Sequence, residues 1–182
     1  MDINLVMNAI NQIAALDRKR RRPAHPLLFS LSDYLHTALS ALPDQSVRRQ
    51  MELAGVHAVL CAGIRHCSLS LHVSNCPQAT VSIRRGLLQE LALCLVRHTP
   101  MNPGERWKLN VGFVDAGDAG SPLGLSMVLG AQRPGAAIDR YRLLQALGNS
   151  PGVLAGHVLI EPHSPHARSK YAEAGFCFRV PR

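Results

Sequence analysis

Apolar side chains recur at helical spacing in the first third of the chain and predict helices there. The three predicted helices cover residues 3–16, 31–42 and 46–54. Pro23 and Pro26 are expected to prevent regular structure between the first two, because proline lacks a backbone N–H and has a fixed φ. The chain is therefore expected to begin with a helical extension, residues 1–55, that contains the basic run Arg18–Arg22.

From residue 56 onward the pattern changes to short apolar or alternating runs that are separated by turn residues. Six strands are predicted, at residues 56–60, 68–73, 107–114, 123–129, 153–160 and 177–180. Strands 107–114 and 123–129 are expected to form a hairpin, because the residues between them have the composition of a turn. Three helices are predicted among them, at residues 85–97, 137–147 and 164–174. Because strands and helices alternate, the expected fold of residues 56–182 is α/β, with helices packed on a mixed sheet.

The composition argues against a disordered, membrane-spanning or disulfide-rich protein. The chain has 182 residues, of which 47% are hydrophobic and 18% charged, so it can bury a core and is too apolar for a disordered protein. Its apolar runs are shorter than the roughly 20 residues of a membrane span, and its basic run follows the first apolar stretch, which is the reverse of a secretory signal. Five cysteines at irregular spacing imply no disulfide framework. We therefore expect a cytoplasmic protein that is not integral to a membrane, with secretion of a bacterial protein into another cell as the alternative.

The charge suggests an anionic partner. The formal net charge is +8, and arginine supplies most of the 20 basic residues. The run Arg18–Arg22 could bind an acidic partner, which leaves open a non-enzymatic interaction module that uses this run to bind nucleic acid or a partner protein. The plainer interpretation of the run is a solvated basic linker.

A turn of small residues, Gly130 to Ala137, lies between a predicted strand and a predicted helix. The free amides and the dipole at the start of that helix favour an anion, and Gly135 leaves room for one. Arg133 and Arg140 are close enough in sequence to add positive charge. The pattern is typical of a turn that binds pyrophosphate.

The spacing of this turn resembles a known family. Gln132-x-x-Gly135-x-Ala137 is similar to the R/Q-x-x-G-x-G/A motif with which the GNAT superfamily of N-acetyltransferases holds acetyl-CoA. Downstream, Tyr171 and Gly175-Phe176 lie at the spacing of that family's second motif, and the resemblance covers residues 123–178. Ser164 and Ala137 replace the family's usual Asn and second Gly, so a degenerate member without activity stays open.

The resemblance implies an acyltransferase that moves an acetyl group from acetyl-CoA, or another acyl-CoA, to an amine of an unknown small-molecule or protein acceptor. It implies a mixed, splayed central sheet flanked by helices, in which strands 123–129 and 153–160 lie parallel and separate. Tyr171 would protonate the leaving thiolate and Glu161 would be the general base. The residues expected to bind the cofactor are Gln132, Arg133, Gly135, Ala136, Ala137, Arg140 and Ser164.

Two other clusters suggest different chemistry. The first cluster lies within residues 61–76 and consists of Cys61, His66, Cys67, His72 and Cys76. Its cysteines lack the C-x₂₋₄-C spacing of zinc sites, so no metal is expected. The second is the pair Cys94 and His98, one helical turn apart, which would suit a hydrolase only if the thiol of Cys94 were exposed and ionised.

Overall fold

Three helices form the first part of the computed structural model: α1 (Ile3–Arg18), α2 (Ala24–Ser40) and α3 (Val47–Ile64). The structure describes residues 2–18, 24–40, 47–74, 86–114, 123–131, 138–154, 159–163 and 173–180. Helices α1 and α2 pack together as an antiparallel hairpin, since Asp2 at the start of α1 contacts Tyr34 in the second half of α2. Both helices of the hairpin also pack on α3.

Helices α2 and α3 are longer than the sequence predicted. Helix α2 begins at Ala24 and includes Pro26, because a proline in the first turn removes an N–H that has no helical partner. Helix α3 continues to Ile64, so the predicted strand at residues 56–60 is wrong. A short apolar run fits a buried helix as well as a buried strand, and α3 is buried against α1, α2, α4 (Leu87–His98) and β1 (Ser68–Ser74). The expected division of the chain at residues 55 and 56 falls within this helix.

In the described part of the chain, the remaining elements build a mixed, open sheet of five strands. These are β1, β2 (Arg106–Val114), β3 (Leu123–Ala131), β4 (Leu159–His163) and β5 (Glu173–Val180), with α5 (Arg140–Gly148) and the short α6 (Pro151–Leu154) between β3 and β4. Their order in the sheet is β1-β2-β3-β5-β4. Strands β1 and β2 are parallel, and every other neighbouring pair is antiparallel. The predicted α/β class and the predicted hairpin of β2 and β3 are confirmed.

One face of the sheet forms the core. Alternate side chains along β2 and β3 are buried, among them Trp107, Leu109, Met127 and Leu129. The residues between them on β1 and β2, such as His72 and Lys108, are exposed. In the described part of the chain the helices therefore cover one face and leave a polar face open.

The C-terminal part departs furthest from the prediction. Residues 151–154, at the start of the predicted strand 153–160, are helical, and β4 begins only at Leu159. The predicted helix 164–174 lies mostly outside the described residues, but its last two positions already belong to β5. Gly175 and Phe176, which directly follow the predicted helix in sequence, lie within β5, opposite Val128 and Met127.

Candidate functional site

The predicted acetyl-CoA site lies largely outside the described residues. This holds for Gln132, Arg133, Gly135, Ala136, Ala137, Ser164 and Tyr171. Of the other two residues, Arg140 is the exposed first residue of α5. Glu161 lies in β4, where its backbone is opposite Cys177 of β5. The structure therefore brings no acetyl-transfer site together among the residues that it describes.

The arrangement of strands also differs from the expected cofactor cleft. Strands β3 and β4 contain the segments that were predicted to lie side by side and separate. Strand β5 lies between them, with Ala174 opposite Leu129 and Phe178 opposite Ile160. Because β5 is paired with both neighbours, the place of the predicted cleft between β3 and β4 is taken by a strand.

The sequence-derived metal and thiol clusters do not form reactive sites. Among the described His, Cys, Asp and Glu residues, no group of three or more is placed to hold a metal ion. Cys76 of the predicted cluster lies outside them. Burial, with a smaller contribution from Glu90, raises the pKa of Cys94 to about 11. Cys94 is therefore a protonated thiol at neutral pH and a poor nucleophile.

A surface feature of the α1–α2 hairpin is the clearest candidate for function. Helix α1 has two apolar sides, of which one contains Leu5, Ala9 and Leu16 and is buried. The other contains Ile3, Met7 and Ile10, which are 65%, 52% and 46% exposed. The spacing of the exposed residues, continued by the exposed Ala14, is that of an apolar stripe along one helix face.

Helix α2 has a matching stripe. Leu28 and Leu39 are 52% and 62% exposed, and Leu35 between them is half-buried. Their spacing of seven and four residues places all three along one side of the helix. We call Ile3, Met7, Ile10, Leu28 and Leu39 the hairpin seam. The apolar spacing of residues 3–16 predicted the helix but did not show which of its sides would be exposed.

Asp2 holds the hairpin to the rest of the molecule. Its carboxylate Oδ1 accepts a hydrogen bond from the backbone N–H of Leu5 (3.1 Å) and so caps α1, and its own N–H donates to the hydroxyl of Tyr34 on α2 (2.8 Å). Its Oδ2 lies 3.7 Å from a guanidinium nitrogen of Arg97 on α4 and 3.9 Å from Nε2 of His57 on α3. One residue thus connects the first turn of α1 with three other helices.

The imidazole of His57 is the buried centre of this cluster. Its ring packs 5.1 Å from the ring of Tyr34, and its Nδ1 contacts the side-chain amide of Gln89. Nε2 is buried and makes no hydrogen bond with the described residues. Burial lowers the pKa of His57 to about 4, with Asp2 opposing the shift and Arg97 adding to it. The imidazole is therefore neutral at pH 7, which suits a position between packed helices.

The chain has no match among family models or among curated proteins. It is similar to several solved structures, and the three described next all have low sequence identity. The catalytic domain of histidine kinase ThkA is 11% identical, with a TM-score of 0.47 over 75% of this chain and 92% of that one. The histidine kinase AdeS of Acinetobacter baumannii is 13% identical (TM-score 0.44, 98% and 94% covered), and a histidine kinase of Burkholderia phymatum is 15% identical (0.42, 99% and 94%).

These similar structures are histidine kinases and not N-acetyltransferases. The strand order, in which β5 lies between β3 and β4, shows that the predicted membership of the GNAT superfamily is wrong, and with it the enzyme class and the acetyl-CoA co-substrate. The alternative of an interaction module acting through Arg18–Arg22 gains no support, and most of that run lies outside the described residues. Because every TM-score is under 0.5, no activity is transferred from these kinases. Every helix in the described ranges is too short or too polar to span a bilayer.

Proposed function

We propose that the chain is a self-associating module, in which the α1–α2 hairpin of one copy packs against the same hairpin of a second copy. The observation that carries the proposal is the hairpin seam, which exposes five large apolar side chains to water. On α1 these side chains recur at intervals of four and three residues, the spacing that lets helices interlock along a narrow apolar line. The function is to join two α/β domains in one assembly.

The arrangement of the two stripes favours a second copy as the partner. Helices α1 and α2 run antiparallel, and each has one exposed apolar stripe outside its buried face. A twofold axis can place the α1 stripe of one copy against the α2 stripe of the other. The same contact then occurs twice in the dimer, and both stripes of each copy are buried. The product is a four-helix bundle with short helix connections, which is a common way to bury such stripes.

The exposed area is of the right size for a dimer. A large apolar side chain presents roughly 200 Å² when it is fully accessible. At the measured exposures, the five seam residues present on the order of 550 Å² per copy. That is most of the roughly 800 Å² that each partner buries in a standard interface, and neighbouring polar side chains would supply the rim.

Measuring the mass in solution tests the proposal. The wild-type chain is expected at twice its monomer mass of 19.8 kDa in sedimentation or light-scattering experiments at micromolar concentration. Met7→Glu and Leu39→Glu each place a charge in the seam and should yield monomers, because an unpaired buried carboxylate is costly. Asn8→Glu adds the same charge at the neighbouring exposed position on α1, outside the seam, and should remain dimeric.

Circular dichroism and the melting temperature show whether each variant keeps its fold. A wild-type protein that is monomeric at tens of micromolar contradicts the proposal. A dimer that survives both seam variants contradicts it equally, since the interface would then lie elsewhere.

A further inference from the structure

A cavity of about 540 Å³ lies where the helical hairpin meets the start of the sheet. Its wall is mostly apolar and includes Leu16 of α1, Leu27 of α2, Val59 of α3 and Leu69 of β1. Its polar lining includes His66, Ser68 and Arg106. Pockets of this size and composition are typical of sites for organic ligands. The cavity is separate from the hairpin seam, which shares none of its lining residues.

His66 is held at the cavity in an unusual backbone conformation. Its φ is 60°, the only positive φ of a residue other than glycine in the described part of the chain. Its N–H donates to the carbonyl of Gly63 (2.9 Å), and its carbonyl accepts from the N–H of Gly104 (2.8 Å). Its Nε2 is 2.8 Å from the side-chain nitrogen of Gln12 on α1. The N–H of Cys67 also donates to the carbonyl of Ala62 (3.0 Å), so His66 is the left-handed residue that closes α3. These contacts on both sides fix the position of its imidazole at the cavity.

Among its described lining residues, the cavity has a positive charge and no negative one. Arg106 is the first residue of β2, is exposed, and contributes to the lining. No described lining residue has a carboxylate. The neighbouring Glu105 is engaged elsewhere, because it accepts hydrogen bonds from the N–H of Asn102 (2.9 Å) and from the indole of Trp107 (3.1 Å). The guanidinium of Arg106 is thus the charged group that a ligand in the cavity would meet.

From this geometry we propose that the cavity binds an amphipathic organic anion, with an apolar body among the leucines and a carboxylate or phosphate at Arg106. Ser68 and His66 supply further polar atoms beside the guanidinium. The charge complementarity selects an anion over a neutral or cationic ligand, and the apolar wall selects an organic body over inorganic phosphate. This inference does not depend on self-association, since the seam and the cavity use different residues.

Calorimetric titration of the full chain with decanoate, and with 1-decanol as the uncharged counterpart, tests the proposal. Decanoate should bind at least about tenfold more tightly than decanol, because only the carboxylate can accept charge-assisted hydrogen bonds from the guanidinium of Arg106. Arg106→Leu should remove this preference for the anion. Lys108→Leu deletes an exposed positive charge from the same face of β2, two residues further along, and should change affinity by less than about twofold.

Two further experiments identify the class of anion and test the cavity independently of self-association. Titration with octyl phosphate and with adenosine monophosphate distinguishes an acyl-chain ligand from a nucleotide. The Met7→Glu variant should bind decanoate as the wild type does, so that failure of self-association leaves the cavity proposal standing. Equal affinity for decanoate and decanol overturns the proposal, as does an equal loss in Arg106→Leu and Lys108→Leu. Absence of binding by every anion also overturns it.

Discussion

At the scale of single residues, the buried imidazole of His57 makes the stability of the folded protein depend on pH. It is 1% exposed and lies between Tyr34 and Gln89, with Asp2 and Arg97 at the edge of its surroundings. The cost of burying its charged form exceeds the attraction of Asp2, so the net effect of folding is to lower its pKa to about 4. Folding therefore requires a neutral His57.

The stability of the protein should fall with acid in a defined window. The unfolded chain binds a proton at His57 below about pH 6.5, whereas the folded chain does so only near pH 4. The contribution of His57 is complete above pH 6.5 and is lost as the pH falls towards 4, with a slope of at most about 1.4 kcal/mol per pH unit. Urea unfolding of the wild type and of His57→Gln at pH 7 and pH 4.5 measures this. The variant should lose less stability between the two pH values, and equal losses would contradict the assignment.

At the scale of elements, the approach of α3 to the edge strand β1 depends on a glycine. A Cβ added at Gly55 would overlap the Cδ2 atom of Leu71, so the side chain of Leu71 occupies the space that the glycine leaves on α3. Gly148 at the end of α5 is different, because an added Cβ there has no heavy atom within 4 Å and its φ is not positive. The two positions make a matched pair for the same substitution.

Gly55→Leu should lower the free energy of unfolding by about 1–3 kcal/mol, since it forces extra atoms between packed elements. Gly148→Leu should be within about 1 kcal/mol of the wild type, because helix propensity favours leucine and no neighbour is displaced. Denaturant unfolding of both variants provides the comparison. Equal effects at the two sites would show that α3 and β1 are not closely packed.

The elements also show what the sequence could and could not predict. Strand β1, helix α4 and the hairpin of β2 and β3 follow from local patterns of apolar residues, and these predictions are confirmed. The segment 56–60 was misassigned because a short apolar run looks the same in a buried helix and a buried strand. Strand β5 was partly missed because its pairing with β3 joins residues about 50 positions apart, which no local pattern reports. The hairpin seam was missed because spacing alone does not distinguish the buried side of α1 from the exposed one.

At the scale of the whole molecule, helices α1 and α2 carry six of the eight large apolar side chains that are exposed in the described residues, while the open face of the sheet is polar. A monomer with this distribution would leave an apolar stripe exposed on each of two helices, and exposed apolar patches are a feature of interaction sites. The cavity lies on another side of the α1–α2 hairpin, where these two helices meet the start of the sheet. The hairpin is thus proposed to have two roles, one facing a second copy and one facing a ligand.

Self-association has a thermodynamic consequence that does not depend on measuring mass. If folding and dimerisation are coupled, unfolding releases two chains from each dimer, so the melting temperature depends on protein concentration. A hundredfold increase in concentration should raise the melting temperature of the wild type by roughly 4 °C for a chain of this size. The melting temperature of Met7→Glu should stay constant, and that of Asn8→Glu should follow the wild type. A wild-type melting temperature that is independent of protein concentration would mean that the seam is not covered by a second copy. The melting temperature depends on concentration only when unfolding separates associated chains.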